Sequence, residues 1–305
     1  MPAGSVRQTL RTFGWHEFTV ESLVDLKRRH DVTASMVLPA RNEEGTVAAV
    51  VEAFVPLRDA HLLDEIVVVD SLSSDRTATV ATDAGATVVH VGEVCPAVEA
   101  VPGKGEALWR ALLATQGDLV AFCDADILDV GPHYALGLLG PLLTEPAIQL
   151  VKGFYRRPIL GVDGEVEEHG GRVTELTARP FLSLYRPELA QFVQPLAGEW
   201  AGRRAHLESL PFPTGYGVEI AVLLDTYAAV GLAGMAQSDL GSRTHSRQSQ
   251  QALGVMAAEV LATALRRLGI EPVGELLRQF SVDDHTELDT LLPLLERPPV
   301  RSLRG

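Results

Sequence analysis

Two aspartates one residue apart, Asp124 and Asp126, follow the short apolar run 119–123, and this is the most chemically loaded stretch of the chain. A run of that length and composition reads as a strand buried on both faces of a parallel sheet. The carboxyl ends of such strands are where open α/β sheets bind ligands. Closely spaced carboxylates placed there can hold a hard divalent cation through oxygen, with a ligand's phosphates completing the shell. The same pair would also serve as a solvated strand end or a helix cap, so the flanking segments must decide between the two.

Four further stretches carry chemistry. Gly103-Lys104-Gly105 opens a helix, and glycines around a lysine at a helix start let backbone and ammonium approach a phosphate; the spacing is not that of a P-loop, and a flexible solvated loop is the alternative. Gly171, Arg172 and Thr174 stand at another helix start, where backbone amides and a guanidinium suit a carboxylate or phosphate, although an exposed arginine there is also ordinary. The segment 211–219 puts two prolines, two glycines and Tyr216 ahead of Glu219, a glutamate that the helix dipole alone would explain. His245, flanked by Arg243 and Arg247 beyond a strand expected at 235–239, is a candidate ligand or a packed histidine.

Strands expected at 34–38, 66–69, 87–91, 118–123 and 147–154 alternate with helical patterns at 46–54, 76–84 and 105–115 in the first half. That rhythm is the signature of an α/β fold with a parallel sheet and right-handed crossovers. Asp75 or Ser74 would cap the second of these helices and Gly85 would close it. The chain divides into an N-terminal helical extension (1–31, with an amphipathic helix over 18–29), a first half (32–155), a second half (156–249) and C-terminal helices with a tail (250–305). In the last part 250–268 reads as an amphipathic helix suited to core packing or a subunit interface, 273–280 as a further helical piece, and 296–305 as a frayed end.

The 305 residues can bury a sizeable core, and a formal net charge of −14 repels polyanions, which argues against nucleic acid or an anionic membrane as partner. Cys95 and Cys123 have no metal-ligand spacing and read as free thiols. The N-terminus lacks the apolar region of a signal peptide, and no apolar stretch reaches the roughly 18 residues of a membrane span. A cytoplasmic location is expected.

Taken together, Val37-Leu38-Pro39-Ala40-Arg41-Asn42-Glu43-Glu44, Asp70-Ser71, Gly103-Lys104-Gly105 and the pair Asp124 and Asp126 resemble the nucleotide-sugar half of a GT-A glycosyltransferase. The blocks Gly171-Arg172-Val173-Thr174, Pro195-Leu196-Ala197-Gly198-Glu199, Gly202-Arg203-Arg204, Gly215-Tyr216-Gly217-Val218-Glu219 and Asp239-Leu240-Gly241 are more selective. They resemble the glucosyl-3-phosphoglycerate synthases, with the mannosyl-3-phosphoglycerate synthases as near relatives. The resemblance implies a GT-A fold, a Rossmann-like, mostly parallel sheet flanked by helices, and a metal-dependent transfer of glucose from UDP-glucose to 3-phosphoglycerate with retention. It implies that Pro39, Ala40, Glu43, Ser71, Lys104, Ala125 and Tyr216 border the donor, and that Asp124, Asp126 and His245 hold Mg²⁺ or Mn²⁺. Gly171, Arg172 and Thr174 would hold the acceptor, with Arg243 and Arg247 available to its charge, while Glu219, Leu196 and Lys104 would serve the transfer itself. A homodimer is also implied. Two positions depart from the pattern: Ala125, where serine is familiar, and Ser246-Arg247-Gln248, where an Arg and Asn pattern commonly follows the histidine. The competing readings are a GT-A transferase with another donor, such as GDP-mannose, or another acceptor, and a non-catalytic nucleotide-sugar sensor.

Overall fold

The structure is a computed structural model that describes residues 8–156, 158–160, 166–168, 171–243, 249–281 and 285–304, with the backbone alone described at 158–160 and 166–168. Its strands are β1 (Arg11–Gly14), β2 (Ala34–Ala40), β3 (Glu65–Asp70), β4 (Thr87–His90), β5 (Leu119–Phe122), β6 (Leu150–Arg156), β7 (Pro158–Leu160), β8 (Val166–Glu168), β9 (Trp200–Arg203), β10 (Phe212–Pro213), β11 (Met235–Ser242), β12 (Leu276–Phe280), β13 (Glu287–Leu291) and β14 (Glu296–Arg297). Its α-helices are α1 (Val20–His30), α2 (Val47–Asp59), α3 (Thr77–Asp83), α4 (Lys104–Ala114), α5 (His133–Thr144), α6 (Arg179–Tyr185), α7 (Arg204–Leu207), α8 (Val218–Val230) and α9 (Gln250–Arg266).

Among the described residues the central sheet has eight strands in the order β1-β11-β6-β9-β5-β2-β3-β4. Neighbours run parallel except β9, which is antiparallel to both β5 and β6. Strand residues alternate faces: Met36 and Leu38 enter one core with α1, α2, α3 and α5, while Val37 enters the other with α4, α8 and α9. The central strands are therefore apolar on both sides, which is why 36–38, 66–69 and 119–122 are legible as short unbroken apolar runs. Asp75 accepts the backbone N–H of Thr77 at 2.9 Å, and Gly85, at φ 101°, ends the segment after α3.

Three expectations are corrected and one strand is added. The N-terminal piece is not helical throughout: β1 adds an edge strand to the central sheet, pairing parallel with β11. The added strand, β9, follows the 195–199 block, and its backbone is claimed by neighbours on both sides. The helical piece expected at 273–280 is strand β12, paired antiparallel with β13. The tail from Glu296 is tied down, because β14 pairs with β10 and the Trp109 indole N–H donates to the Pro298 carbonyl at 2.8 Å.

That tail closes a buried charge cluster at the start of α4. Glu106 is fully buried; it accepts from Arg110 at 2.7 Å and from Arg297 at 2.7 and 3.0 Å. Beside it the α4 start meets the segment 213–215 so closely that a methyl group on Gly105 would overlap the Pro213 carbonyl and one on Gly103, at φ +149°, the Thr214 carbonyl. The glycines around Lys104 are thus required by backbone packing.

Removing one member of a buried ionic cluster leaves the others uncompensated, at a cost of about 3–5 kcal/mol. Glu106→Ala should therefore lower unfolding stability by about that amount, and more than Arg297→Met, which leaves the Glu106–Arg110 pair intact. Urea denaturation followed by circular dichroism measures both; equal, small losses would remove the cluster from the fold's support.

Candidate active site

The parallel strands β2, β3 and β5 all point their carboxyl ends at one cleft, of about 1000 Å³. Pro39 and Ala40 line it at the end of β2, Glu43 just after, Ser71 after β3, and Asp124, Ala125 and Asp126 after β5. Lys104 reaches in from the first turn of α4, Tyr216 and Glu219 from the loop and first turn of α8, and Leu196 from the turn before β9. Gly171, Arg172 and Thr174 line the same cleft. All the described residues singled out from sequence thus meet in one cavity, although they span Pro39 to Arg243 in the chain. His245 and Arg247, and with them the departure at 246–248, lie outside the described residues.

Cations and carboxylates interleave in the cleft. The Lys104 ammonium donates to Asp124 Oδ1 at 2.6 Å and lies 2.9 Å from Glu219 Oε1. Burial alone would lower its pKa, but Asp124 and Glu219 raise it well above the ordinary lysine value. Asp124 mirrors this: burial opposes its ionisation, yet the charges of Lys104 and Arg243 hold it well below the ordinary carboxylate range. Glu43, facing the same site, has its pKa raised by burial and then by the charge of Asp126.

Arg243 is the residue whose placement differs most from expectation. Read from sequence as a partner for an acceptor's charge, it is only 5% exposed and turns its guanidinium onto carboxylates. It donates to Glu199 at 2.6 Å, Asp126 at 2.9 Å, Asp124 at 3.4 Å and the Tyr155 hydroxyl at 2.9 Å. Its charge is matched within the site. Glu199 and Tyr155 were not singled out as site residues; only their positions, in the 195–199 block and at the end of β6, offered a signal. Glu259 of α9 was also missed. Its carboxylate accepts the Tyr216 backbone N–H at 2.5 Å, so α9 braces the 213–217 loop, and a glutamate within an amphipathic helix carries no mark of that task.

Asp124 and Asp126 supply oxygen donors at a strand end, and the guanidinium already resting on both marks the spot as one that attracts a cation. That donor set fits a hard divalent ion. Among the described residues no cluster of three or more His, Cys, Asp or Glu is arranged around a common metal position, so a third protein ligand would have to come from elsewhere. The segment that follows Gly171 has its own irregularity: Thr174–Ala178 is a π-helical turn leading into α6, a feature frequent at functional sites.

Comparison with known proteins agrees with this geometry. The model for glycosyl transferase family 2 matches residues 35–157. The glucosyl-3-phosphoglycerate synthase of Mycolicibacterium smegmatis is 50% identical over 274 residues, which cover 89% of this chain and 90% of that one. The crystal structure of glucosyl-3-phosphoglycerate synthase from Mycobacterium tuberculosis in complex with Mn²⁺, UDP-glucose and phosphoglyceric acid superposes with a TM-score of 0.88 at 45% identity, covering 97% of this chain and 99% of that one. The same enzyme with Mg²⁺ and UDP gives a TM-score of 0.89 over the same shares of the two chains. Likeness of this degree, running over nearly the whole chain, identifies it as a member of the glucosyl-3-phosphoglycerate synthase family.

Proposed function

We propose that the chain transfers glucose from UDP-glucose to 3-phosphoglycerate with retention of the anomeric configuration, releasing UDP, in a reaction that requires Mg²⁺ or Mn²⁺. The observation that carries this reading is the meeting of two groups of residues in one cleft: the carboxylate strand end with Lys104, and Gly171, Arg172 and Thr174. The solved relatives hold UDP-glucose, phosphoglyceric acid and Mn²⁺ together. We assign the first half, 32–155, to the donor and the second, 156–249, to the acceptor.

Asp124 and Asp126, with His245, would hold the divalent ion, which supplies Lewis-acid stabilisation of the charge that develops on the departing diphosphate. Lys104 adds a fixed positive charge on the same side. Glu219 is held by Lys104 and orients a sugar hydroxyl; it does not act as a nucleophile. The turn at 195–199 lines the sugar end, where Leu196 and its neighbours offer backbone dipoles to a sugar that becomes cationic as the anomeric bond breaks. The acceptor hydroxyl attacks from the face the diphosphate leaves, and the departing phosphate oxygen takes its proton. Pro39, Ala40, Glu43, Ser71 and Tyr216 fix the nucleotide and Ala125 passes between the two ligand carboxylates.

No helix among the described residues is long and apolar enough to cross a membrane, which supports a cytoplasmic enzyme. Exposed apolar side chains on the β12–β13 hairpin, with Phe280 61% and Leu291 70% exposed, support a homodimer.

UDP release should depend on UDP-glucose, 3-phosphoglycerate and a divalent ion together, stop on addition of EDTA, and be far slower with GDP-mannose. Donor binding without acceptor-dependent release would sink the acceptor assignment, and a preference for GDP-mannose would sink the donor. Asp126→Ala should lower turnover by at least about 100-fold, the scale of removing one electrostatic stabiliser of a transition state, with the thermal midpoint little changed. A variant retaining most of its turnover would take Asp126 out of the metal site.

A further inference from the structure

Lys152 lies in the middle of β6, opposite Trp200 of β9, and is 1% exposed. Its ammonium donates to the Ala197 carbonyl at 2.6 Å and sits 5.8 Å from the centre of the Trp200 ring. Among the described residues no carboxylate forms an ion pair with it. Glu219, Glu199 and Asp124 face it at longer range, and Lys104 opposes them. Burial first of all, incompletely offset by those carboxylates, brings its pKa down to about 8. A buried charge without a close counter-ion is unfavourable to the fold, and an apolar side chain of similar volume is often neutral or stabilising in its place. The ammonium therefore does not stand there for the sake of stability.

What it holds is the turn at 195–199. Ala197 is the middle of that turn; its N–H donates to the Gln194 carbonyl at 3.1 Å, and the Glu199 carbonyl accepts from the Gly153 N–H at 2.8 Å, one residue along β6 from Lys152. Leu196 and Gly198, on either side of Ala197, both line the cleft. Gly198 lies so near the reacting groups that a methyl group on it would overlap the Asp124 carboxylate and crowd the Lys104 ammonium. The turn thus touches the donor site from above and Lys152 from below.

We infer that Lys152 is a positioning residue for glucosyl transfer: from strand β6 it fixes the Ala197 carbonyl, and so the height and tilt of the Leu196–Gly198 backbone against the sugar end of the donor. It touches neither substrate nor metal ligand and acts only through the turn. A shift of the turn by a fraction of an ångström alters the alignment of the breaking bond, whereas the nucleotide end, held by residues after β2 and β3, is indifferent to it. This inference rests on the glucosyl-transfer reading above.

The test is Lys152→Met, which keeps the volume and removes the donor, measured beside the wild type with UDP-glucose and 3-phosphoglycerate. The kcat is expected to fall by about 10- to 100-fold, the scale of a small misplacement of reacting groups. Calorimetric UDP affinity and the KM for UDP-glucose should stay within about twofold, and the thermal midpoint should be unchanged or higher. A kcat within about twofold of the wild type, or a UDP affinity that falls in step with kcat, overturns the inference. If the Met variant does not fold, Lys152→Gln carries the same comparison, with the same two results counting against it. A wild type that releases no UDP in response to acceptor sinks the transfer reading and the inference with it; an active wild type with an equally active Met variant sinks the inference alone.

Discussion

Four carboxylates, Asp124, Asp126, Glu199 and Glu219, converge at one cleft, and among the described residues Lys104 and Arg243 form ion pairs with them. In a low-dielectric setting such a concentration of like charge is tolerable only when cations are held close to it in good geometry. Much of the architecture serves that requirement. The sheet delivers Asp124 and Asp126 at the end of β5, α4 delivers Lys104, the segment after β11 brings Arg243 across, and β9 is wedged antiparallel between β5 and β6 so that Glu199 can meet it. The surplus of negative charge remaining is what makes the place receptive to a divalent ion and, with it, a diphosphate.

Support for this floor comes from elements remote from it in sequence. Glu259 on α9 braces the loop that carries Tyr216, and that loop rests on the glycine-flanked start of α4, so the position of Lys104 depends on the C-terminal helix as well as on its own. Such dependence is typical of preorganised sites, where the reacting groups are placed by a surrounding shell that touches no substrate.

The central strands were legible because β2, β3 and β5 are apolar on both faces, and a run such as Ile66-Val67-Val68-Val69 has few other readings. β9 was not, since Trp-Ala-Gly-Arg has neither periodicity nor length and becomes a strand only because two neighbours offer it their hydrogen bonds. Leu276-Leu277-Arg278-Gln279-Phe280 fits a helix as readily as a strand until its pairing with β13 is known. In the site, spacing and strand-end position singled out Asp124 and Asp126, and the family resemblance supplied their neighbours. Arg243 was found but its ion pairs were not, because its partner Asp124 lies 119 positions away and nothing local distinguishes a guanidinium aimed at a ligand from one aimed at a carboxylate. Glu259 was invisible for the same reason.

β1, made within the first fifteen residues, pairs with β11, and β14, made within the last ten, seals the charge cluster on α4. The two ends of the chain are therefore joined to partners that lie far from them in order of synthesis, and contacts of such separation form late. Until β14 is made, β10 lacks its pairing partner and Glu106 and Arg110 lack their third member. Arg297 is thus the point at which the carboxyl-terminal segment ties the second half of the cleft, through β10, to the first, through Glu106 of α4.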